Sequence, residues 1–524
     1  MKKTLYKKVG IASIIMMCSV FLSRVTGLLR EIVIAAVGGI SADVDAYQVA
    51  FMLPEVLNHV VASGFLSVTF IPIFNQYLAA DNEEEGWQVF SLIFTTFGAG
   101  LCLLILVAGI YAEPLVRLIA SGVKDPATLA LAVRMTRIIL PAQFFFFTGG
   151  LLMAVQFSKE RFFLPALAPL IYNLGIIAGG LLLGPWIGIE GFSWGVLAGA
   201  LAGNFLLQWF GARRAGMKIS FAMDLSHPEI RNYLFLTLPL ILGLTMTFST
   251  EFFFRFFGAY MPKGTIAALN YGLRVTLILV GLFGQAVGTA SYPFMSRLMA
   301  EGRMDDVNQL LNKTLRYLSL VIPFSALLMV LRHEVIFILF QRGQFNASAT
   351  SLTSQLLPFL LIGAFAFSAQ VVVVRGYYAM KDTLFPAIFG TIAVAISIPF
   401  YLWGMRQWGP AGVAVGVSFS AFLQVTVLYA LWNKRSNNKG GALVYGHVGK
   451  VLVASIALGV ILEWFQRTAL AWVDQWTLRG SLFTTIVSGL LFVVLLYGAG
   501  RVGFIKEFSD VFDILLGRFR RRSP

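Results

Sequence analysis

Long apolar segments separated by short polar ones run through the chain from about residue 10 to residue 503. A helix needs about 20 apolar residues to cross the hydrocarbon core of a bilayer. Fourteen segments reach about this length, and the second and eighth exceed it. They are 10–37, 45–78, 88–112, 130–156, 164–184, 189–210, 231–258, 264–297, 313–340, 352–379, 384–404, 410–432, 448–466 and 482–503. We therefore predict an all-α integral membrane protein with about fourteen transmembrane helices.

Three groups of residues recur at one offset of 221 positions, which indicates an internal repeat. Pro72 matches Pro293, Pro165-Ala166 matches Pro386-Ala387, and Gly191 with Gly195 matches Gly412 with Gly416. The repeat covers six spans, and an even number returns the chain to the same side, so we expect two parallel six-helix lobes, a known transporter design. The glycine pairs are typical of close helix packing.

This repeat predicts three regions. An N-lobe of spans 1–6 occupies residues 1–225, and a C-lobe of spans 7–12 occupies residues 226–436. Residues 437–524 contain spans 13 and 14, which lie outside the repeat, and a basic tail. Pro54 and Pro72 are expected to bend or interrupt the second span, because proline removes a backbone hydrogen bond.

Composition and charge support a membrane protein. The chain is 58% hydrophobic and only 12% charged, against about 25% charged in a typical soluble domain. The formal net charge is +15, and its placement in short loops predicts cytoplasmic termini by the positive-inside rule. The arginine-rich segment 518–522 is then a cytoplasmic anchor rather than a nucleic-acid contact, and the lysine-rich N-terminus precedes a retained first span. The acidic segment 81–85 fits this orientation poorly.

Ionisable residues inside predicted spans are the main candidates for function. Each costs at least about 2.5 kcal/mol at the bilayer centre, so it needs water, a partner or a cavity. They are Arg24 and Arg30 in the first span, Asp45, Glu55 and His59 in the second, Arg255 in the seventh and Arg274 in the eighth. The second and eighth spans each carry polar residues close to one stripe, at approximately equivalent positions of the two lobes, which predicts a hydrated central cavity. Arginine suits an anionic substrate, because its planar fork binds phosphate oxygens and stays charged.

A purely structural interpretation of these residues is the alternative. Glu251 and Arg255 could form an internal ion pair, and Arg24 could pair with Asp45 or Glu31. His59 is more often a hydrogen-bonded helix residue than a proton carrier. Neither a phosphate-binding loop nor a hydrolase motif occurs, and the two cysteines lie in apolar segments. We expect a transporter rather than an enzyme, with no cofactor and no metal site.

Several segments carry a resemblance to a known family. They are SRVTG at 23–27, RE at 30–31, DAY at 45–47, FIPIF at 70–74, LFQRGQF at 339–345 and YAMKDT at 378–383. The chain resembles the MurJ/MviN family of lipid II flippases, which act in peptidoglycan and cell-wall biogenesis and belong to the multidrug/oligosaccharidyl-lipid/polysaccharide exporter superfamily. The resemblance implies a multi-pass protein of the bacterial inner membrane, two six-helix lobes and alternating access. It also implies a cationic cavity that includes Arg24, Arg30, Asp45 and Arg274, and a hydrophobic groove near the last two helices for a polyprenyl tail.

One segment departs from the family pattern. The family usually has two arginines at the positions of Asn58 and His59, and Glu55 lies nearby. Arg255 compensating for the missing pair is a hypothesis. The predicted function is translocation of an undecaprenyl-diphosphate-linked peptidoglycan precursor, lipid II, from the cytoplasmic to the outer leaflet by a monomer among membrane lipids. The membrane potential or an ion gradient, with a coupling cation, would drive it.

Three other functions stay open. A flippase for another polyprenyl-diphosphate-linked oligosaccharide, of exopolysaccharide or O-antigen type, would fit the missing arginine pair. A cation-coupled drug exporter predicts acidic rather than arginine-rich cavity residues. A scaffold for cell-wall enzymes predicts that Arg24 and Arg274 tolerate alanine.

Overall fold

The computed structural model describes residues 2–59, 65–221 and 223–502, and these ranges contain helices and no strand. The basic segment 518–522 and Ser63 of the second predicted span lie outside the described residues. The helices of the first half are α1 (Lys2–Gly38), α2 (Ala42–Ala50), α3 (Met52–Leu57), α4 (Phe65–Ala79), α5 (Glu83–Ile110), α6 (Ala112–Ile119), α7 (Pro126–Ile139), α8 (Ala142–Ser158), α9 (Phe163–Ile187), α10 (Glu190–Gly199) and α11 (Leu207–Arg214).

The second half is built in the same way. Its helices are α12 (Pro228–Gly258), α13 (Thr265–Leu279), α14 (Ala286–Ala300), α15 (Met304–Leu318), α16 (Val321–Val330), α17 (Arg332–Phe340), α18 (Ala347–Ile362), α19 (Ala364–Ala379), α20 (Leu384–Trp408), α21 (Pro410–Arg435), α22 (Gly441–Ala469) and α23 (Leu478–Arg501). Two π-helical segments, Ala200–Leu206 and Val280–Gln285, join α10 to α11 and α13 to α14.

Eleven of these helices or continuous helix pairs are long and apolar enough to cross a membrane, counted over the described residues. They correspond to predicted spans 3–6 and 8–14. Spans 1 and 7 coincide with α1 and α12, and the second span coincides with α2, α3 and α4. The all-α membrane fold is therefore confirmed, and the helices are consistent with fourteen spans.

The repeat found in the sequence is also present in the backbone. Helix α14 has the bounds of α4 shifted by 221 positions, and α20 has those of α9 shifted by the same amount. Four pairs of residues with positive φ are separated by this offset as well. They are Asp81 and Gly302, Glu160 and Lys381, Gly188 and Gly409, and Gly216 and Asn437. Turns as well as helices are thus repeated.

Pro54 has a visible effect in the second span. Helix α2 ends at Ala50, and Pro54 lies in the first turn of α3, where its missing N–H is tolerated. In an uninterrupted helix the nitrogen at position 54 would bond to the carbonyl of Ala50. The hydroxyl of Thr136 instead donates to that carbonyl over 3.3 Å. The helix break is therefore stabilised by a neighbouring helix.

Two compact units are present. The first comprises Met1–Phe248, Pro262–Ala267 and Arg342–Phe345, and the second comprises Ser249–Met261, Ala268–Gln341 and Asn346–Pro524. Aromatic residues such as Phe74, Trp87 and Phe90 form the core of the first unit. In the second, α22 packs on α16 and α23 packs on α17. The lobe boundaries at 225 and 436 stay a prediction.

The glycine pairs act in packing, as predicted. A Cβ atom at Gly195 would lie 2.6 Å from the carbonyl oxygen of Gly175, and one at Gly412 would lie 1.8 Å from that of Gly404. Only glycine permits this approach of α10 to α9 and of α21 to α20, because any side chain would overlap backbone atoms.

Candidate functional site

Arg30 is held in a fixed position on α1. Its Nη2 atom lies 2.6 Å from Oε1 of Glu31, and its Nη1 atom donates to Oδ1 of Asn173 on α9 over 3.1 Å. The amide nitrogen of Asn173 donates in turn to the carbonyl of Ser23 at 3.3 Å. Glu31 is buried. This network joins α1 to α9 and orients the guanidinium.

Arg24, two turns earlier on α1, is in a different situation. Its side chain is exposed, as are Val20 and Phe21 on the preceding turn. Among the described residues it forms no ion pair or hydrogen bond. The alternative that Arg24 pairs with Asp45 or Glu31 is thus not observed. A cation in a predicted span that has no partner among the described residues is available to an anionic ligand.

Asp45 is buried at the start of α2. Its two carboxylate oxygens accept hydrogen bonds from the backbone N–H groups of Gly264, at 2.5 Å, and Ala267, at 2.8 Å. These groups belong to the N-terminus of α13, where a negative charge is favoured by unpaired N–H groups and the helix dipole. In this conformation Asp45 therefore caps a helix. A direct role in substrate binding stays a prediction.

Glu55 and His59 are half-buried at the end of α3. The Nδ1 atom of His59 lies 2.9 Å from the carbonyl oxygen of Glu55, so Nδ1 is the donor in this contact. This agrees with the interpretation of His59 as a hydrogen-bonded helix residue. Asn58 and His59 adopt π-helical geometry, and the π segment that begins at Val280 lies close to the corresponding position of the repeat.

In the second unit, one carboxylate binds two arginines. Glu251 on α12 lies 3.0 Å from Nη2 of Arg255, and its other oxygen lies 3.3 Å from Nη1 of Arg274 on α13. The predicted Glu251–Arg255 pair is therefore present. The side chain of Arg255 is only 3% exposed, whereas that of Arg274 is 24% exposed. Arg274 is the better placed of the two to contact a ligand, and Arg255 positions Glu251.

Two polar residues of the spans escaped sequence reasoning. Asn173 was not distinguished from other polar residues, and its contact with Arg30 joins positions 143 residues apart. Arg375 lies in the tenth predicted span, so the rule that intramembrane charges are costly would have found it. It is half-buried on α19, and its Nη1 donates to Oγ1 of Thr289 on α14 over 3.0 Å.

An apolar cavity of about 460 Å³ lies within the second unit. Its walls come from α16, α18, α19, α21 and α22, and Arg332 and Glu463 lie at its edge, 3.2 Å apart. This volume is within the range of about 300–1,000 Å³ typical of ligand sites. The cavity contacts α22, the first of the two helices outside the repeat.

The acidic segment 81–85 is explained by its neighbours. Glu83 forms an ion pair with Lys159, and Glu84 lies 3.4 Å from Lys218. Both lysines belong to segments predicted to be cytoplasmic. The acidic residues thus balance basic residues of the same side.

The charged residues described above are suited to binding an anion. In the first unit Arg24 and Arg30 lie on the same helix as Glu31. In the second unit Arg255 and Arg274 both contact Glu251. Within residues 2–59, 65–221 and 223–502, no group of three or more His, Cys, Asp or Glu is arranged to hold a metal ion. The repeated helices and the arginines at membrane depth define a multi-pass membrane transporter.

Comparison with known proteins identifies the kind of transporter. A family model described as "Lipid II flippase MurJ" matches residues 34–483, so the chain belongs to the MurJ family of lipid flippases, which are transporters and not enzymes. A probable lipid II flippase MurJ from Bdellovibrio bacteriovorus is 26% identical over 511 residues, covering 96% of this chain and 97% of the relative. The lipid II flippase MurJ from Burkholderia cenocepacia is 25% identical, covering 84% and 87%.

Solved structures show the same fold. A lipid II flippase MurJ in an inward closed conformation has a TM-score of 0.75 at 23% identity, covering 92% of this chain and 99% of that one. A MATE-family multidrug transporter in an inward-facing conformation has a TM-score of 0.66 at 13% identity, covering 79% and 94%. Membership of the MurJ family, together with the apolar helices, makes the chain a multi-pass protein of the bacterial inner membrane that acts in cell-wall biogenesis.

Proposed function

We propose that this protein translocates lipid II, the undecaprenyl-diphosphate-linked peptidoglycan precursor, from the cytoplasmic to the outer leaflet. The observation that carries the proposal is Arg24, a cation at membrane depth with no partner among the described residues. A diphosphate would supply the missing negative charge in bidentate geometry. Membership of the family supports the choice of lipid.

The other site residues take different roles in this proposal. Arg30 binds the diphosphate together with Arg24 in the first unit. In the second unit Arg274 is an anion contact of its own, and Arg255 positions the Glu251–Arg274 pair. Glu55 and His59 contact the sugar or peptide of the headgroup. Asp45 stabilises the conformation in which it caps α13.

The apolar cavity beside α22 is proposed to hold part of the polyprenyl chain. Its walls are formed by residues such as Met329, Leu361, Phe422 and Leu452. A polyprenyl chain that enters the cavity leaves lipid and not water, so it gains mainly packing contacts and little hydrophobic free energy. The cavity would therefore orient the lipid rather than supply most of the affinity.

Alternating access of two parallel lobes, residues 1–225 and 226–436, is the proposed mechanism, with both termini in the cytoplasm and the protein acting as a monomer. The driving force is the membrane potential or an ion gradient with a coupling cation. One charge moved across 100 mV corresponds to about 2.3 kcal/mol. Arg24, which has no ion-pair partner among the described residues, is a charge on which a physiological potential can act.

A flippase for a different polyprenyl-diphosphate-linked oligosaccharide is the second candidate. It is favoured by Asn58 and His59, which stand where the family usually has two arginines. Both candidates use the same diphosphate chemistry. They differ in the headgroup that is recognised near α3.

The test is replacement of the essential flippase in a bacterium. The endogenous protein is depleted, this chain is expressed, and labelled lipid II is followed across the membrane. We expect growth and translocation to be restored, and Arg406→Ala, at an exposed position of α20, serves as the matched control. Correct membrane insertion without translocation of lipid II would contradict the proposal. Translocation of an O-antigen-type lipid instead would support the second candidate.

A further inference from the structure

Arg375 has an unusual environment in the second unit. It lies on α19, one turn from the C-terminal end of the helix, in a span that sequence and hydropathy both place in the membrane. Its one hydrogen bond among the described residues goes to the hydroxyl of Thr289 on α14. No carboxylate of the described chain lies within ion-pair distance of it.

Packing around Arg375 leaves room for the guanidinium beside the backbone of α14. A Cβ atom at Gly288 would lie 2.7 Å from Nη1 of Arg375, so the glycine allows the cation to lie against the helix. The equivalent position of the first lobe, 221 residues earlier, is Ala154, which is fully buried. The repeat therefore does not require a charge at this position, and helix packing alone does not explain the arginine.

Hydroxyl-bearing side chains lie near Arg375. Thr289 is exposed, and Tyr292, 37% exposed, is close enough to Arg375 for an electrostatic interaction. Tyr378, half-buried on α19, interacts with Tyr292 in the same way. The hydroxyl of Thr289 donates to the carbonyl of Gln285 at 2.7 Å and accepts from Arg375, so its proton is already used. The guanidinium and the two phenols can donate several hydrogen bonds to an oxyanion, and charge-assisted bonds of this kind are the strong ones.

We propose that Arg375, Tyr292 and Tyr378 form a second anion-binding site for the lipid substrate, separate from the Glu251–Arg274 pair. Position 289 follows Arg274 by 15 residues along α13, the π segment and α14, which corresponds to about 22 Å of helix. The ligand is an oxyanion of the transported lipid, either its diphosphate or a carboxylate of its headgroup. This inference rests on the proposed lipid substrate. It adds a binding site on the predicted cytoplasmic side, where the substrate enters.

The test is equilibrium binding to the purified full-length protein in nanodiscs. The probes are labelled lipid II, which carries both oxyanion sources, and farnesyl diphosphate, which carries only the diphosphate. We expect Arg375→Ala to weaken binding by roughly tenfold, because a charge-assisted hydrogen bond contributes about 1.5 kcal/mol or more. Arg375→Lys should be intermediate, since it keeps the charge and loses the fork.

Two controls isolate the charge from packing. Thr289→Val removes the hydrogen bond of Arg375 but keeps the cation, and we expect less than about a twofold effect. Gly288→Ala should displace the guanidinium and weaken binding without removing any charge. Melting temperatures of all variants should stay near that of the wild type, because Arg375 has no ion pair within the described part of the chain.

The pattern over the two probes identifies the anion. Weaker binding of both probes assigns Arg375 to the diphosphate, and weaker binding of lipid II alone assigns it to a headgroup carboxylate. If Arg24→Ala weakens lipid II binding and Arg375→Ala does not, the second site is contradicted and the proposed function stands. If the wild type binds neither probe, the proposed function itself is contradicted. Phosphatidylglycerol is also added as a competitor of labelled lipid II. If Arg375→Ala changes only how well phosphatidylglycerol competes, Arg375 binds bulk lipid and the inference is overturned.

Discussion

The two lobes place opposite charges at one position of the repeat. Arg30 of the first lobe and Glu251 of the second are 221 residues apart, each on the helix that opens its lobe. Arg30 is bound by Glu31 and Asn173, whereas Glu251 is bound by Arg255 and Arg274. The repeat therefore preserves the helices and turns of the backbone, but not the charges of the side chains at equivalent positions.

This difference separates the arginines that are held in ion pairs from those that are available to bind an anionic ligand. In the second lobe the carboxylate of Glu251 binds both Arg255 and Arg274. In the first lobe Glu31 forms an ion pair with Arg30, and Arg24 has no partner in the described part of the chain. Around the repeat-related positions of Arg30 and Glu251, the first lobe therefore offers an anionic ligand more positive charge than the second. Arg375 is a separate cation elsewhere in the second lobe.

Substitution of Arg24 should have the largest effect on substrate affinity. Arg24→Ala removes a bidentate, charge-assisted contact, so we expect affinity for lipid II to fall by roughly 30- to 100-fold. The loss for Arg24→Lys should be smaller, and Arg406→Ala should bind like the wild type. Equilibrium binding of labelled lipid II to protein in nanodiscs measures this. An Arg24→Ala protein with wild-type affinity would remove the distinction between the lobes.

Substitution of Glu251 should mainly affect stability. Glu251→Gln withdraws the carboxylate from two arginines, one of them nearly fully buried, and we expect a loss of about 2 kcal/mol. Glu31→Gln should cost less, because Arg30 keeps its hydrogen bond to Asn173. Thermal unfolding in detergent, with transport measured in parallel, compares the two variants. Equal losses would mean that the two carboxylates play the same structural part.

The smallest expected effect concerns a pair of loops outside the membrane. Asp382 and Arg435 of the second lobe form an ion pair of 2.6 Å, while the equivalent Arg161 of the first lobe donates to the carbonyl of Arg214. Burial alone would raise the pKa of the Asp382 carboxyl, but the backbone N–H of Phe385 and the Arg435 guanidinium hold it below its usual value.

Asp382 therefore stabilises the folded state above the usual aspartate pKa of about 3.9, and this stability is lost as the pH falls through the lowered pKa. The contribution of such a partly exposed pair is at most about 1 kcal/mol. Unfolding followed from pH 6 to pH 3 should show a smaller pH dependence in Asp382→Asn than in the wild type. Arg161→Gln should leave the dependence unchanged, since a carbonyl acceptor does not titrate. The same acid dependence in both variants would refute this assignment.

Sequence patterns predicted the parts of the structure that depend on periodicity. The spans, the 221-residue repeat and the close glycine contacts of Gly195 and Gly412 follow from helix length and from the lack of a side chain. The Glu251–Arg255 pair follows from their spacing of four residues. Each of these signals is local or repeats at a constant interval.

Contacts between residues far apart in the sequence, and contacts with backbone groups, were not predictable. Asp45 binds the N–H groups of Gly264 and Ala267, which carry no side-chain signal and lie more than 200 residues away. Arg274 reaches Glu251 across 23 residues on a different helix. The missing arginine pair at Asn58 and His59 was visible in the sequence, but its consequence for the headgroup depends on how the substrate is bound.

Transport of lipid II by the purified protein in liposomes tests the central claim most directly. Labelled lipid II is placed in the leaflet that corresponds to the cytoplasmic side, a membrane potential is imposed with a potassium gradient and valinomycin, and its arrival in the other leaflet is followed. We predict translocation by the wild type and by Arg406→Ala, and little or none by Arg24→Ala at equal protein content and melting temperature. Translocation by Arg24→Ala at the wild-type rate would contradict the assignment of Arg24 as the residue that binds the diphosphate.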